Sequence, residues 1–292
     1  MKLISNYKDQ DRLRCSFNNL AQKTFGISFE QWYQAGYWTD KYIPYSYALG
    51  EEVVANVSVN KVDLLINGKI TKAIQIGTVM THPNYRYQGL SHRLMERVMN
   101  DYHNTDAFYL FANREVLEFY PKFGFTRMEE FQFTMPVEKK KETKNTSSVI
   151  KLNAVHQADR SFIYGLAAER VPASKRFSTV HTAELFMYYC MYVFKDNIYY
   201  LEQENCILLC KTIGEELHIF DVLSQKGRID WFYVAELLGT SETTKLVFHF
   251  IFDDQGYPVQ SVPYKDDHVL FVQTKQGVEW PGNAKHPLTS QA

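Results

Sequence analysis

The sequence predicts an α/β protein with mixed α+β sheets, built as two successive lobes, and three observations lead there. Residues 73–81, AIQIGTVMT, read as a β-branched strand that passes through Pro83 and a tight Arg-x-x-Gly-x-Ser loop straight into an amphipathic pattern. Further on, FYLFANREVLEFYPKFGF (108–125) reads as an apolar strand, a short helix around Val116 to Tyr120 and a Gly-Phe turn into another strand. After the polar, highly charged stretch VEKKKETKNTSS (137–148), the same coarse order of strands and helices returns without the loop or the turn.

Taken in chain order, MKLISNY fits a first strand, and DQDRLRCSFNNLAQKTFG and SFEQWYQAGYW fit two helices. YIPYSYALGEEVVANVSVNKVDLL fits a hairpin broken at Gly50-Glu51-Glu52. Beyond Gly89, Leu90, Leu94 and Val98 recur every four positions with Met95 and Met99 beside them, while His92, Arg93, Glu96 and Arg97 fill the other side, the signature of a helix with one buried face. The charged stretch is expected to be an exposed linker or hairpin tip, giving a first domain over 1–136, a linker over 137–148 and a second domain over 149–292. In the second domain, strands are expected at VIKLNAV, within NIYYLEQENCILLCKT and ELHIFDVLS, and at KLVFHFIF and HVLFVQTK, with helices at ADRSFIYGLAAER, ELFMYYCMYVF and DWFYVAELL.

The strand-loop-helix segment has its own chemistry. A helix start leaves backbone N–H groups without intrahelical partners, and the helix dipole adds partial positive charge there, so the loop suits a phosphate. Gly89 removes the side chain that would hold a phosphate off the backbone, Arg86 offers a charged fork at the rim, and small Ser91 keeps the next turn open.

Together the two motifs resemble the Gcn5-related N-acetyltransferases (GNATs). The residues that carry the resemblance are Val79, Thr81 and Pro83; Arg86, Gly89 and Ser91; and Asn113, Tyr120, Gly124 and Phe125, with Ser91 standing where the family usually has Gly or Ala. The resemblance covers residues 1 to about 136 and implies the family's acyl-CoA N-acyltransferase fold, with acetyl-CoA as co-substrate and no metal. It implies that backbone groups of Val79, Met80 and Thr81 bond the pantetheine arm. The pyrophosphate would sit on the loop Arg86, Tyr87, Gln88, Gly89, Leu90, Ser91, His92, with Arg93 in support. Asn113, Glu115 and Val116 would border the pantetheine, and Tyr120 would donate a proton to the leaving sulfur. An active first lobe followed by a lobe without motifs also resembles the acyltransferases related to the mycobacterial enhanced intracellular survival proteins, which implies a degenerate second GNAT-like lobe that walls the acceptor site. In those proteins the terminal carboxylate enters the active site, which makes Ala292 one candidate base. From the residues themselves Asp40, Glu51, Glu52 and His82 are others.

Composition bounds the rest. With 45% hydrophobic and 15% aromatic residues over 292 positions, two buried cores are within reach. A net charge of -1 argues against a broad nucleic-acid surface. The longest apolar-aromatic run, LFMYYCMYVF (185–194), is about half a bilayer span, and no apolar leader opens the chain, so a soluble cytoplasmic protein without membrane partners is expected. Cys15, Cys190, Cys206 and Cys210 lack metal-site spacing and read as reduced core residues. Trp32, Tyr33, Tyr37, Trp38, Tyr42, Tyr45 and Tyr47 are dense enough that some are expected to line an amine site through cation-π contact, with Asp40 as counter-charge. The expected activity is transfer of an acetyl group to a primary amine of a small molecule or peptide. The competing expectation is a non-catalytic acyl-CoA-binding or scaffolding protein.

Overall fold

The computed structural model describes residues 1–139, 148–253 and 256–292. Most of the charged stretch expected as a linker, 140–147, lies outside the described residues. The first half runs β1 (Lys2–Ser5), α1 (Asp11–Phe25), α2 (Glu30–Gln34), β2 (Tyr42–Leu49), β3 (Glu52–Ile66), β4 (Lys69–Thr81), α3 (Leu90–Asp101), β5 (Ala107–Asn113), β6 (Thr126–Arg127) and β7 (Glu130–Pro136). Helix α1 buries Leu13, Phe17, Leu20 and Ala21, the spacing of one helical face, and ends where Gly26 turns left-handed. Helix α3 buries Leu90, Leu94, Met95 and Val98 against the sheet. Helix α2 is shorter than its sequence run, because the chain turns back at Gly36 and the Tyr37 amide bonds the Trp32 carbonyl. The short helix expected around 116–120 is instead two 3-10 turns, Arg114–Val116 and Tyr120–Phe123. Pro121, which cannot donate to an α-helical ladder, is the second residue of the latter turn, which ends at Gly124.

The second half contributes β8 (Val149–Leu152), α4 (Gln157–Glu169), β9 (Phe177–Val180), α5 (Ala183–Tyr188) with a π-turn over Tyr189–Val193, β10 (Ile198–Leu201), β11 (Cys206–Ile213), β12 (Glu216–Ser224), α6 (Trp231–Leu238), β13 (Lys245–Phe248), β14 (Gln260–Tyr264) and β15 (His268–Thr274). The two sheets have matching orders, β1-β2-β3-β4-β5-β15-β6 and β8-β10-β11-β12-β13-β7-β14. Each has one parallel pair, β4 with β5 and β12 with β13, joined through α3 and α6 respectively. The place beside that pair is filled from the other half: β15 lies antiparallel to β5, and β7 antiparallel to β13. Strand β9 also crosses over, pairing Asp63–Ile66 of β3. The sheets therefore do not divide where the charged stretch divides the sequence.

The largest core lies between the two sheets and joins Leu64, Tyr109 and Leu270 of the first to Met135, Leu208 and Phe248 of the second. The segment after β15 is threaded into the same interior. Lys285 and Glu130 form a buried ion pair at 3.2 Å, and the His286 amide donates to the same carboxylate. Asp221, paired with Arg170 at 2.9 Å, accepts from Thr289, while Ser290 bonds Thr179. Buried charges persist only with partners of this kind. Cys190, Cys206 and Cys210 are buried, and burial raises Cys206 and Cys210 to about 12; Cys15 differs from the sequence expectation in being exposed. No helix among the described residues is long and apolar enough to cross a membrane.

Candidate active site

Strands β4 and β5 pair only over Ala73–Ile76 and Ala107–Leu110. Past Ile76 they part, and β4 shifts register against β3 between Asn56 and Ser58. The irregularity centres on Thr78, whose φ of 49° is left-handed, a costly state for a β-branched residue. A buried polar cluster holds it. Asn56 Nδ2 donates to the Thr78 carbonyl and to Ser58 Oγ, both at 2.9 Å; Ser46 Oγ donates to Asn56 Oδ1 at 2.8 Å; and Tyr7 Oη bonds Ser46. Tyr42 Oη meets Thr78 Oγ1 at 2.6 Å. Asn56, Ser46 and Ser58 are fully buried, so each bond is made away from competing water.

After β4, His82 caps a 3-10 turn, Pro83–Tyr85, and Gly89, at φ 69°, starts α3. The first α3 amide bonded into the helix is Arg93 N, to the Gly89 carbonyl, so the amides of Leu90, Ser91 and His92 face out of the helix start. Ser91 Oγ bonds Thr81 Oγ1 at 2.7 Å, fixing loop to strand. The Leu90 side chain is core, which leaves its backbone for binding. The side chains of Arg86, Tyr87, Gln88 and Glu115 stand outside the cavity described next, and Arg86 Nε reaches back toward the Thr81 carbonyl. The His92 ring packs on Phe123 and pairs with Glu96. Arg93 lies over the Tyr47 ring.

A cavity of about 590 Å³ opens where β4 and β5 part. Its walls bring together Val79, Met80, Thr81, Ser91, Asn113, Val116 and Tyr120. Tyr120 is 5% exposed, packs on Phe125 and Phe271, and its hydroxyl takes no hydrogen bond from the described residues. Burial lifts its pKa to about 12, so the phenol is protonated at neutral pH. The cluster of aromatics in the first half divides: Trp32 and Tyr42 reach the cavity, Tyr33 stacks on Arg14, Tyr37 on Tyr164, and Trp38 and Tyr45 are core.

Of the candidate bases, Asp40 is bound to Lys8 and Glu51 to Arg12, and neither these two nor Glu52 and His82 line the cavity. Ala292 does, lying so close to Gly77 that a methyl on that glycine would stand 2.6 Å from the Ala292 oxygen. Sequence reasoning passed over His268, which pairs with Asn113 across β15 and β5 and lines the cavity, as well as Leu185, Tyr188, Tyr189, Val193 and Gln291. The aromatic run 185–194 was the one visible signal for these. Among the described residues no group of three or more His, Cys, Asp or Glu side chains is placed to hold a metal.

Residues 11–128 match the sequence model of the acetyltransferase (GNAT) domain. No curated protein matches the chain. Among solved structures, a conserved protein from Enterococcus faecalis V583, described as a probable N-acyltransferase, aligns with a TM-score of 0.59 at 13% identity over 94% of this chain and 72% of its own. Eis1 from Mycobacterium abscessus aligns at 0.57 and 11% identity, over 92% and 73%. A GCN5-related N-acetyltransferase from Anabaena variabilis aligns at 0.55 and 12%, over 94% and 73%. At such identities the likeness is one of fold, and it extends over both sheets. Residues 11–128 thus match the acetyltransferase (GNAT) domain, within a chain whose fold resembles that of Eis1.

Proposed function

We propose that the chain is an acetyl-CoA-dependent N-acetyltransferase, moving the acetyl group to a primary amine by direct attack with both substrates bound. The observation that carries this reading is the single cavity that joins the parted edge of β4, the start of α3 and the buried phenol of Tyr120.

The donor set suits acetyl-CoA. Amides at the start of α3 suit a pyrophosphate, with Arg86 and Arg93 on the same loop and helix. Beyond Ile76 the β4 edge is released from β5, so backbone groups of Val79 to Thr81 are available to an extended pantetheine arm, bordered by Asn113 and Val116. The thioester carbonyl needs a positioned donor, which the bulge at Thr78 supplies from backbone. The amine nitrogen forms a bond to the acetyl carbon as the carbon–sulfur bond breaks; one proton leaves the nitrogen and one is delivered to the sulfur. Tyr120 is the donor to sulfur. Pushed up to about 12 by burial, the phenol keeps its proton at neutral pH until a thiolate forms beside it. In this reading His268, on the cavity wall, receives the amine proton, directly or through water, as the nitrogen bonds the acetyl carbon. A cytoplasmic setting supplies the co-substrate and keeps free cysteines reduced.

The test is release of free thiol from acetyl-CoA in the presence of a panel of primary amines, alongside calorimetric binding of CoA. Binding with amine-dependent thiol release is the expected result. Binding without it for every amine would leave a CoA-binding protein and overturn the enzymatic reading.

A further inference from the structure

We propose that the acceptor is an amine carried on an apolar, aromatic body, seated between α1–α2 and the α5 π-turn. This rests on the acetyltransferase reading and narrows its substrate class. Among the described residues lining the cavity there is no Asp, Glu, Lys or Arg side chain. The wall on the acceptor side is Phe25, Phe29 and Trp32 from the first half and Leu185, Tyr188 and Val193 from the second.

Three polar tips around the wall are engaged, while the Tyr188 hydroxyl takes no hydrogen bond from the described residues. Trp32 Nε1 donates to the Glu184 carbonyl at 2.7 Å, Tyr189 Oη donates to the Gln291 carbonyl at 2.7 Å, and Tyr42 Oη is held by Thr78. What these residues turn to the cavity is therefore ring carbon. Phe25 and Val193, also on the cavity wall, keep 43% and 52% of their surface exposed, so the apolar lining continues to solvent.

A polyamine or aminoglycoside would bring several ammonium groups into this cavity with no acidic side chain to pair them, and unpaired charge is strongly disfavoured away from water. One amine on an aromatic body meets the opposite situation. Its ring is removed from water against other rings, its nitrogen can approach a ring face, and desolvation favours the neutral amine that attacks. The balance is unchanged: the ammonium gives up one proton to become the nucleophile, the N–C bond forms as C–S breaks, and the products are the N-acetyl amine and CoA thiol.

The experiment uses the full chain with acetyl-CoA and, at equal concentrations, 2-phenylethylamine, hexylamine, spermidine, kanamycin and a lysine-containing peptide, reading thiol release, with acetyl-CoA binding measured separately. Burial of a phenyl group favours association by about ten- to a hundredfold, so kcat/KM for 2-phenylethylamine is expected to exceed that for spermidine by at least that margin. Val193→Asp, at a half-exposed position where folding is not threatened, should lower the 2-phenylethylamine to spermidine ratio tenfold or more while acetyl-CoA affinity stays constant. Spermidine or kanamycin turned over as well as 2-phenylethylamine overturns the inference and leaves the acetyltransferase standing. So does an unchanged ratio in the Val193 variant. Failure to bind acetyl-CoA overturns the underlying reading and this inference together.

Discussion

Replacing Asn56 by alanine removes three hydrogen bonds at once: two donated by Nδ2, to Ser58 Oγ and the Thr78 carbonyl, and one accepted from Ser46 Oγ. The bonds with Ser58 and Ser46 are buried and the one to half-buried Thr78 is partly so, and the truncation leaves the Thr78 carbonyl without its side-chain donor and Ser46 without its Asn56 acceptor. At about 1–1.5 kcal/mol for each bond, the loss of folding stability is about 3–4 kcal/mol. Thr78 recovers part of this by leaving its left-handed conformation, a state that costs about 1–3 kcal/mol, which makes the lower end the better expectation. That recovery carries a functional consequence. If the bulge relaxes, the backbone donor proposed for the thioester carbonyl moves, and loss of one such donor typically lowers turnover about 10²- to 10³-fold. Urea unfolding followed by fluorescence measures the first quantity, and thiol release at saturating acetyl-CoA the second. A variant that loses stability yet turns over at the parent rate would show that the cluster packs the sheet without shaping the site. A variant as stable as the parent would refute the bonding account itself.

Tyr120→Phe keeps the ring against Phe125 and Phe271 and removes a hydroxyl without a protein partner among the described residues, so stability and CoA affinity should hold while turnover falls about 10²-fold or more, checked by steady-state rates beside calorimetry. Gly89→Val puts a branched side chain on a residue at φ 69° in the loop proposed to hold the pyrophosphate; the nearest protein atom, Arg93 Nη1, is 3.7 Å from the new Cβ, so the strain is in the backbone and the expected loss is mainly of CoA affinity, read by calorimetry. His249 and His286 are held neutral by burial, with pKa values lowered to about 3, while in the unfolded chain they titrate near 6.5. Stability should therefore be complete above pH 6.5 and fall as the pH drops from 6.5 toward 3, because the unfolded state alone takes up the protons. At pH 5 the loss is about 2 kcal/mol for each histidine, and His286→Phe should flatten its share of the slope in urea titrations across pH.

The segment from β4 to α3 was legible in the sequence because its periodicity changes from strand to helix across Gly89, and each half of that pattern is set by local burial. Tyr120 was singled out by its spacing to Asn113 and Gly124, residues that lie close along the chain. What the sequence left hidden is long-range. The apolar pattern of HVLFVQTK announces a buried strand, but nothing in it says that the neighbour is β5 and not a strand of its own half, since any apolar edge would bury it equally well. With that neighbour unknown, His268 had no reason to be placed beside Asn113. Likewise nothing in KHPLTSQA marks it for burial, which rests on Glu130, Asp221 and Thr179, scattered over the chain. The aromatic run 185–194 signalled a buried helix without indicating that its π-turn faces a cavity.

The exchange of β7 and β15 has a consequence for synthesis. As the chain leaves the ribosome, β5 emerges with one edge open and stays so until His268–Thr274 has been made, a wait on the order of ten seconds at about 5–20 residues per second. During that interval an unpaired central strand is the kind of surface on which nascent chains associate with one another. The segment 11–128 that matches the GNAT domain does not contain all of its own sheet: excised, it would lack the strand that covers β5, and β7, left attached, would have lost both of its partners. The first sheet is complete only once β15 has been translated, so a stop before His268 leaves β5 without its second neighbour.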